Sequence, residues 1–197
     1  MKKSVIAPIL AIVLAAVVLL GLNVSLHKTA QANAQAEHLR IMQTLLPGSK
    51  TFQLEPYTGE DANIVSVHKA ENGFVIETTT RGYADELTVL VGVSNEGTVT
   101  GLVVKDMHET WGLGAQVLTD WEFLAQFLKT SGGVSIGTAG EDAFSGATGS
   151  DSTEVDTYVD GITGATVTSK AIARCVNSAV AYVTGADTDS GATSWGG

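Results

Sequence analysis

The sequence predicts an α+β protein, in which an N-terminal transmembrane helix is followed by one antiparallel-sheet domain flanked by helices. An uncharged, strongly apolar run occupies residues 4–26. Four short runs rich in β-branched residues, separated by turn signals, lie between residues 64 and 104, which is typical of an antiparallel meander. Apolar residues at helical spacing occur both before and after this region, and these runs predict the flanking helices.

The apolar run at residues 4–26 is long enough to cross a membrane. As an α-helix it would extend about 34 Å, which covers the hydrocarbon core with slight tilt. Lys2 and Lys3 precede the run, whereas His27 and Lys28 follow it. The positive-inside bias therefore predicts a single-pass protein of the cell membrane, with its N-terminus in the cytoplasm and its domain on the extracytoplasmic side.

A cleaved signal peptide is the competing interpretation of this run, because Ala30, Ala32 and Ala34 offer small-residue cleavage sites. The run exceeds the usual apolar region of a signal peptide, which favours a retained anchor. Both interpretations place the domain outside the cytoplasm.

The predicted division of the chain is a cytoplasmic stub and anchor at 1–28, a linking helix at 29–49, the domain at 50–185 and a disordered tail at 186–197.

The charge balance excludes nucleic acid as a partner. Three of the 11 Lys and Arg residues precede Thr29, so the exported part has 8 of them against 21 Asp and Glu, a formal charge of −13. Such a charge opposes binding to nucleic acid and to an anionic lipid surface.

The periodicity changes along the exported part. A helix is predicted over Ala30–Leu46 and ends at Pro47-Gly48. Two strands follow around residues 64–67 and 74–78, joined by a tight hairpin at Asn72-Gly73. Two more strands are predicted over Leu87–Val93 and Val99–Val104.

Two helices and a loop are predicted in the second half of the chain. Asp120–Leu128 has an aromatic-rich apolar face, which predicts a short helix that buries Trp121, Phe123, Leu124, Phe127 and Leu128. Ser131–Thr157 is rich in small polar residues and predicts a loop with one short strand. Thr168–Val183 predicts the last helix, in which the single cysteine, Cys175, is a buried structural thiol.

The most informative segment is DGITGATVTS at residues 160–169, where small residues crowd a turn before the last helix. Such a junction presents free backbone amides and the positive end of the helix dipole, so it favours a phosphate. Gly164 and Ala165 leave room for close approach, and Thr166 places a hydroxyl beside the anion. The alternative interpretation is that Thr168 or Ser169 only caps the helix.

This segment resembles the flavinylation motif Asp-x-x-(Ser/Thr)-Gly-Ala-Thr of the FMN-binding domain family, which includes the G subunit of Rnf complexes and the C subunit of the sodium-translocating NADH:quinone reductase. The resemblance implies a covalent phosphodiester bond between Thr166 and FMN, formed from FAD by a separate Mg-dependent flavin transferase. It assigns Asp160, Thr163, Gly164 and Ala165 to the other motif positions. Thr168 and Ser169 follow as residues of the same cofactor site.

A second segment strengthens the resemblance. Members of the family commonly carry a His-x-Glu-Thr-Pro-Gly-Leu-Gly loop after the last strand, which lies against the flavin. The matching residues here are Glu109, Thr110, Gly112, Leu113 and Gly114. This chain departs from the pattern, because His108 adjoins Glu109 and Trp111 stands in place of Pro.

The four histidines of the chain lack metal-ligand spacing, so no metal is predicted.

The short motif occurs twice, since Asp142–Thr148 also reads Asp-x-x-Ser-Gly-Ala-Thr. Thr148 is followed by Gly149–Ser152 without an amphipathic helix, whereas Thr166 is followed by a helical run. A phosphate needs a fixed set of amides, which favours Thr166. A second flavin on Thr148 is the alternative that this pattern leaves open.

The resemblance implies a redox subunit of a membrane-bound, ion-translocating ferredoxin:NAD oxidoreductase complex, which is not a catalyst by itself. Its expected partners are the other membrane subunits and, during maturation, the flavin transferase. Two alternatives stay open: a self-standing exported flavin domain that supplies electrons to extracellular acceptors or a terminal reductase, and an anchored binding module without a cofactor.

Overall fold

The computed structural model describes residues 33–107, 119–131, 133–137 and 155–186. The chain divides into two compact units, Met1–Ile41 and Met42–Gly197. In the first unit the described residues, 33–41, are helical, and the helix α1 extends over residues 33–45. No helix in the described ranges is both long and apolar enough to span a bilayer. The predicted anchor at residues 4–26 and residues 187–197 of the predicted tail lie outside these ranges.

A five-stranded sheet forms the centre of the second unit. Its strands are β1 (Gln53–Glu55), β2 (Ile64–Ala70), β3 (Gly73–Arg81), β4 (Glu86–Ser94) and β5 (Val99–Met107). They lie in sequence order and each pair is antiparallel. The predicted meander is therefore confirmed. The turn of its first hairpin lies at Glu71-Asn72, one residue before the predicted Asn72-Gly73, because Gly73 already pairs with Ala70 as the first residue of β3. The sequence missed β1, which is three residues long and mostly exposed.

Two helices and a small second sheet follow among the described residues of the domain. The helices are α2 (Trp121–Ala125) and α3 (Thr166–Thr184). The second sheet pairs β6 (Gly133–Ile136) with β7 (Val155–Val159) in parallel. The prediction of a loop with one strand over 131–157 was thus wrong by one strand, β7. The α+β class with an antiparallel sheet is confirmed for the described residues.

The core lies between α3 and the central strands β3 and β4. Apolar residues at helical spacing on α3, such as Ile172 and Val176, are fully buried, as are Ile76, Val89 and Val91 on the two strands. Burial of each such side chain stabilises the fold by about 1.5–3 kcal/mol. Packing on this core fixes where α3 begins and therefore where its first residues lie.

The aromatic face of α2 is narrower than the sequence predicted. Phe123 and Phe127 are buried and meet edge to face, with ring centroids 5.2 Å apart. Trp121 is 73% exposed and Leu128 is 41% exposed, so the prediction that both are buried was wrong. Phe123 and Phe127 are four residues apart and define the buried face, from which the other two point away.

Cys175 is a fully buried free thiol on α3, as the sequence predicted. Burial raises its pKa from an ordinary value of 9.0 to about 11, against smaller lowering effects of a hydrogen bond with Thr78 and the charge of Arg174. The folded protein therefore holds this proton more tightly than the unfolded chain does. The corresponding stabilisation is complete below pH 9 and is lost as the pH rises towards 11.

We expect Cys175→Ala to flatten this pH dependence. Between pH 8 and 11 the wild-type free energy of unfolding should fall by about 2–3 kcal/mol more than that of the variant, since each pKa unit corresponds to about 1.4 kcal/mol. Urea titrations of both proteins at several pH values measure the difference. Parallel pH curves would show that the thiol has the same pKa in both states.

Candidate functional site

The loop between β7 and α3 carries the predicted attachment motif. It runs from Asp160 to Ala165, and Gly164 has a φ of +83°. A side chain at that position would be strained, which accounts for the glycine. Gly161 is needed for a different reason, because a Cβ atom there would lie 2.6 Å from Cγ2 of Ile136. These two glycines are therefore required by the shape of this loop.

The helix α3 begins without a side-chain cap. Its N-cap residue, Ala165, makes no side-chain hydrogen bond, and the first turn has no acidic residue. First-turn amides have no acceptor within the helix, and together with the helix dipole they favour an anion. Thr166 is the first residue of α3 and is exposed. Its hydroxyl is therefore carried by the helix end that suits an anion.

The alternative in which Thr168 or Ser169 caps the helix is wrong. Both residues lie inside α3, which begins two residues earlier than the sequence predicted. A cap residue precedes the first helical residue and accepts a hydrogen bond from the amides that follow it. Ala165 occupies that position and has no side-chain acceptor.

Ser169 ties the loop to the first turn of α3. Its buried hydroxyl donates to the carbonyl oxygen of Ala165 at 3.0 Å and accepts a hydrogen bond from the N–H of Ile162 at 3.4 Å. The N–H of Ala165 donates to the carbonyl oxygen of Ile162 at 3.0 Å and closes the turn. These three bonds fix the residues that lead into Thr166.

Thr168 supplies a polar atom that has no partner among the described residues. Its side chain is fully buried in the first turn of α3, and its Oγ1 makes no hydrogen bond with any of them. Such a group costs roughly 1–3 kcal/mol when it is left unsatisfied. An oxygen of a phosphate held at the uncapped helix end would give this hydroxyl an acceptor. The residues present therefore fit a phosphate-bearing group.

Gln126, at the C-cap of α2, contacts the start of the loop. Its Oε1 accepts a hydrogen bond from the N–H of Asp160 at 2.9 Å, and its Nε2 donates to the carbonyl oxygen of Asp160 at 3.4 Å. Gln126 was not among the predicted site residues. No sequence signal identifies it, because it lies 34 residues before Asp160 and bonds only backbone atoms.

Asn177 makes a similar contact elsewhere in the domain. From α3 its side chain accepts a hydrogen bond from the N–H of Val134 at 2.9 Å and donates to the carbonyl oxygen of the same residue at 2.9 Å. This pair of bonds holds β6, which is parallel to β7. Side-chain amides thus hold the backbone at two places, one at the motif and one away from it.

The structure brings the seven predicted residues of the motif together at the junction of β7 and α3. Four of them are exposed: Asp160, Thr163, Gly164 and Thr166. Three are buried: Ala165, Thr168 and Ser169.

The remaining predicted site residues lie outside the described residues. They are Glu109, Thr110, Gly112, Leu113 and Gly114, together with His108, Trp111 and the second motif copy that ends at Thr148. Their predicted roles stay predictions.

Comparison with known proteins identifies one family and two relatives. The family described as FMN-binding domain matches residues 82–181. The G subunit of the Na⁺-translocating ferredoxin:NAD⁺ oxidoreductase complex of Acetobacterium woodii is 32% identical over 129 residues, which cover 64% of this chain and 54% of that protein. The chain therefore spans about half the length of that relative. The G subunit of the ion-translocating oxidoreductase complex of Methanosarcina acetivorans is 33% identical over 168 residues, covering 79% of this chain and 78% of that protein.

Solved structures resemble the chain more distantly. Among them are the C subunit of the Na⁺-translocating NADH-quinone reductase from Parabacteroides distasonis, with 23% identity, a TM-score of 0.43 and 60% coverage of each chain, and NqrC from Shewanella oneidensis, with 19% identity, a TM-score of 0.43 and coverage of 68% of this chain and 65% of that one.

Proposed function

The chain belongs to the FMN-binding domain family, and we propose that it carries FMN covalently on Thr166 and transfers electrons as a component of an Rnf-type, ion-translocating ferredoxin:NAD oxidoreductase complex. The observation that supports this most directly is the exposed Thr166 at the first position of a helix without a side-chain cap. The first turn of the same helix also contains Oγ1 of Thr168, which has no partner within the part of the chain that the structure describes. Both relatives that match well are named as the G subunit of ion-translocating oxidoreductase complexes.

The residues of the motif would each have a different role in binding the cofactor. The first-turn amides of α3 and the hydroxyl of Thr168 would bind phosphate oxygens, while Ser169 keeps the loop in place. Lys170 is exposed and lies four residues after Thr166, on the neighbouring turn, where its charge would offset that of the phosphate. When bound, FMN supplies the electron transfer itself, and the protein fixes its position.

Covalent attachment suits the proposed location. We propose that residues 4–26 anchor the chain in the cell membrane and that the domain lies on the extracytoplasmic side. A dissociable cofactor would be lost there by dilution, whereas a phosphodiester on Thr166 retains it. Other membrane subunits are the proposed partners, and the acidic surface would help to orient the domain among them.

Mass spectrometry tests the attachment. The full-length chain, produced together with a flavin transferase, should gain the mass of one FMN on the peptide that contains Thr166. The matched control is the same chain produced without the transferase, which should weigh only what its amino acids predict. An unmodified chain after coexpression would refute covalent flavin, and a modified Thr148 peptide alone would move the site to the second motif copy.

A further inference from the structure

We infer that Gln126 is a positioning residue for flavin attachment, whose side-chain amide holds the backbone of Asp160 and thereby presents Thr166 to the flavin transferase. This inference rests on the proposed function, and it concerns a residue outside the motif. Asp160 is the first motif residue and lies six positions before Thr166. The two hydrogen bonds of 2.9 and 3.4 Å bind both its N–H and its carbonyl oxygen.

Gln126 and Ser169 together fix both ends of the loop. Ser169 bonds Ile162 and Ala165 at the helix end, whereas Gln126 bonds Asp160 at the strand end. Among the described residues, the strand end would otherwise be held by the pairing of β7 with β6. The loop contains two glycines, so its remaining conformational freedom is large unless both ends are fixed.

The Gln126 side chain does not hold α2 on the core. That helix is held to the core by Phe123 and Phe127, which are both buried, and its N-cap is Asp120, whose side chain accepts from the N–H groups of Glu122 and Phe123. The Gln126 side chain is exposed and fills no core space. Its specific contribution is therefore the pair of bonds to the loop.

The step that this contact assists is a group transfer. The Thr166 hydroxyl oxygen forms a bond to the phosphorus of the FMN half of FAD, the pyrophosphate P–O bond breaks, and AMP leaves. The hydroxyl proton passes to a base of the transferase, because an unaided threonine hydroxyl is a weak nucleophile. The reacting oxygen must be held close and in line, so a small displacement of the loop lowers the rate of the chemical step.

Asn177 provides a matched control within the same domain. It too makes two hydrogen bonds from a side-chain amide to the backbone of one residue, Val134, which is not part of the motif. Truncation of either amide removes one donor and one acceptor. If these bonds serve only stability, the two truncations should have similar effects on attachment.

The test compares Gln126→Ala and Asn177→Ala in the full-length chain, solubilised in detergent and supplied with purified flavin transferase, Mg²⁺ and FAD. Initial rates are measured by in-gel flavin fluorescence at a temperature where melting curves show both variants folded. Gln126→Ala should lower kcat about tenfold, the equivalent of two net hydrogen bonds, with the KM for the chain little changed. Asn177→Ala should stay within about twofold of the wild type, since it leaves the bonds to Asp160 intact.

Three results would overturn the inference or its premise in distinguishable ways. A wild-type chain that takes no flavin refutes the proposed function itself. A wild-type chain that is labelled together with an equally fast Gln126→Ala variant refutes the positioning role alone. If Gln126→Ala and Asn177→Ala lower the rate of flavin attachment equally, both side-chain amides only stabilise the fold, and the positioning role is likewise refuted.

Discussion

Replacement of Thr166 by alanine should abolish covalent flavin on the chain while its fold stays intact. The side chain is exposed at the first position of α3, and no hydrogen bond from its hydroxyl occurs within the described residues. Alanine is a good helix former, so the free energy of unfolding should change by no more than about 0.5 kcal/mol. Labelling should fall to background in the in-gel fluorescence of chains matured beside the flavin transferase, because the proposed attachment atom is gone.

Thr166→Ser is the matched control for this experiment. It keeps a hydroxyl at the same position and removes only a methyl group, so labelling should persist. Full labelling of Thr166→Ala would refute the assignment of the flavin to Thr166. If the label is then lost when Thr148 is also replaced, the attachment site is the second motif copy. If neither variant is labelled, the loss is due to a damaged loop and not to the missing hydroxyl, because Thr166→Ser keeps a hydroxyl. Circular dichroism of the two proteins would then test for this damage.

The parts of the fold that were predictable are those in which local patterning and burial agree. Strands β2 to β5 are rich in β-branched and other apolar residues and are separated by turn residues, and α3 has apolar residues at helical spacing. The missed strands lack such a signal. Gln53–Glu55 is too short to show a period and Leu54 is 68% exposed, while Val155–Val159 pairs in parallel with a strand about 20 residues away across a segment rich in small polar residues.

The site divides in the same way. The motif is contiguous in sequence, so its turn and the presence of a helix after it were predictable from residues 160–169, although the helix begins two residues earlier than predicted. The supporting amides were not predictable, because Gln126 and Asn177 bond backbone atoms 34 and 43 residues away and any residue can supply such atoms. The buried Thr168 hydroxyl, which has no partner among the described residues, was not predictable either, because its burial depends on how α3 packs on the sheet. Tertiary packing therefore decides which polar atoms of the motif meet a ligand.

Thr168→Val should stabilise the chain before flavin attachment. Valine has nearly the shape of threonine and removes the hydroxyl that is buried without a partner among the described residues. The folded state then no longer keeps an unsatisfied polar group from water, so the free energy of unfolding should rise by about 1 kcal/mol or more. Urea titration of full-length wild type and variant, both produced without the transferase and kept in the same detergent, measures the change.

After attachment the same substitution should have the opposite sign. If the Thr168 hydroxyl donates to the phosphate on Thr166, valine removes a charge-assisted hydrogen bond and should lower the free energy of unfolding by about 1.5–3 kcal/mol. Ser169→Ala is a useful comparison, because Ser169 bonds backbone atoms of the loop and its loss should destabilise both forms alike. If the phosphate accepts a hydrogen bond from Thr168, Thr168→Val should therefore raise the free energy of unfolding before attachment and lower it afterwards. If the substitution changes this free energy in the same direction in both forms, the phosphate is held without Thr168, and the amides of the first turn are its main ligands.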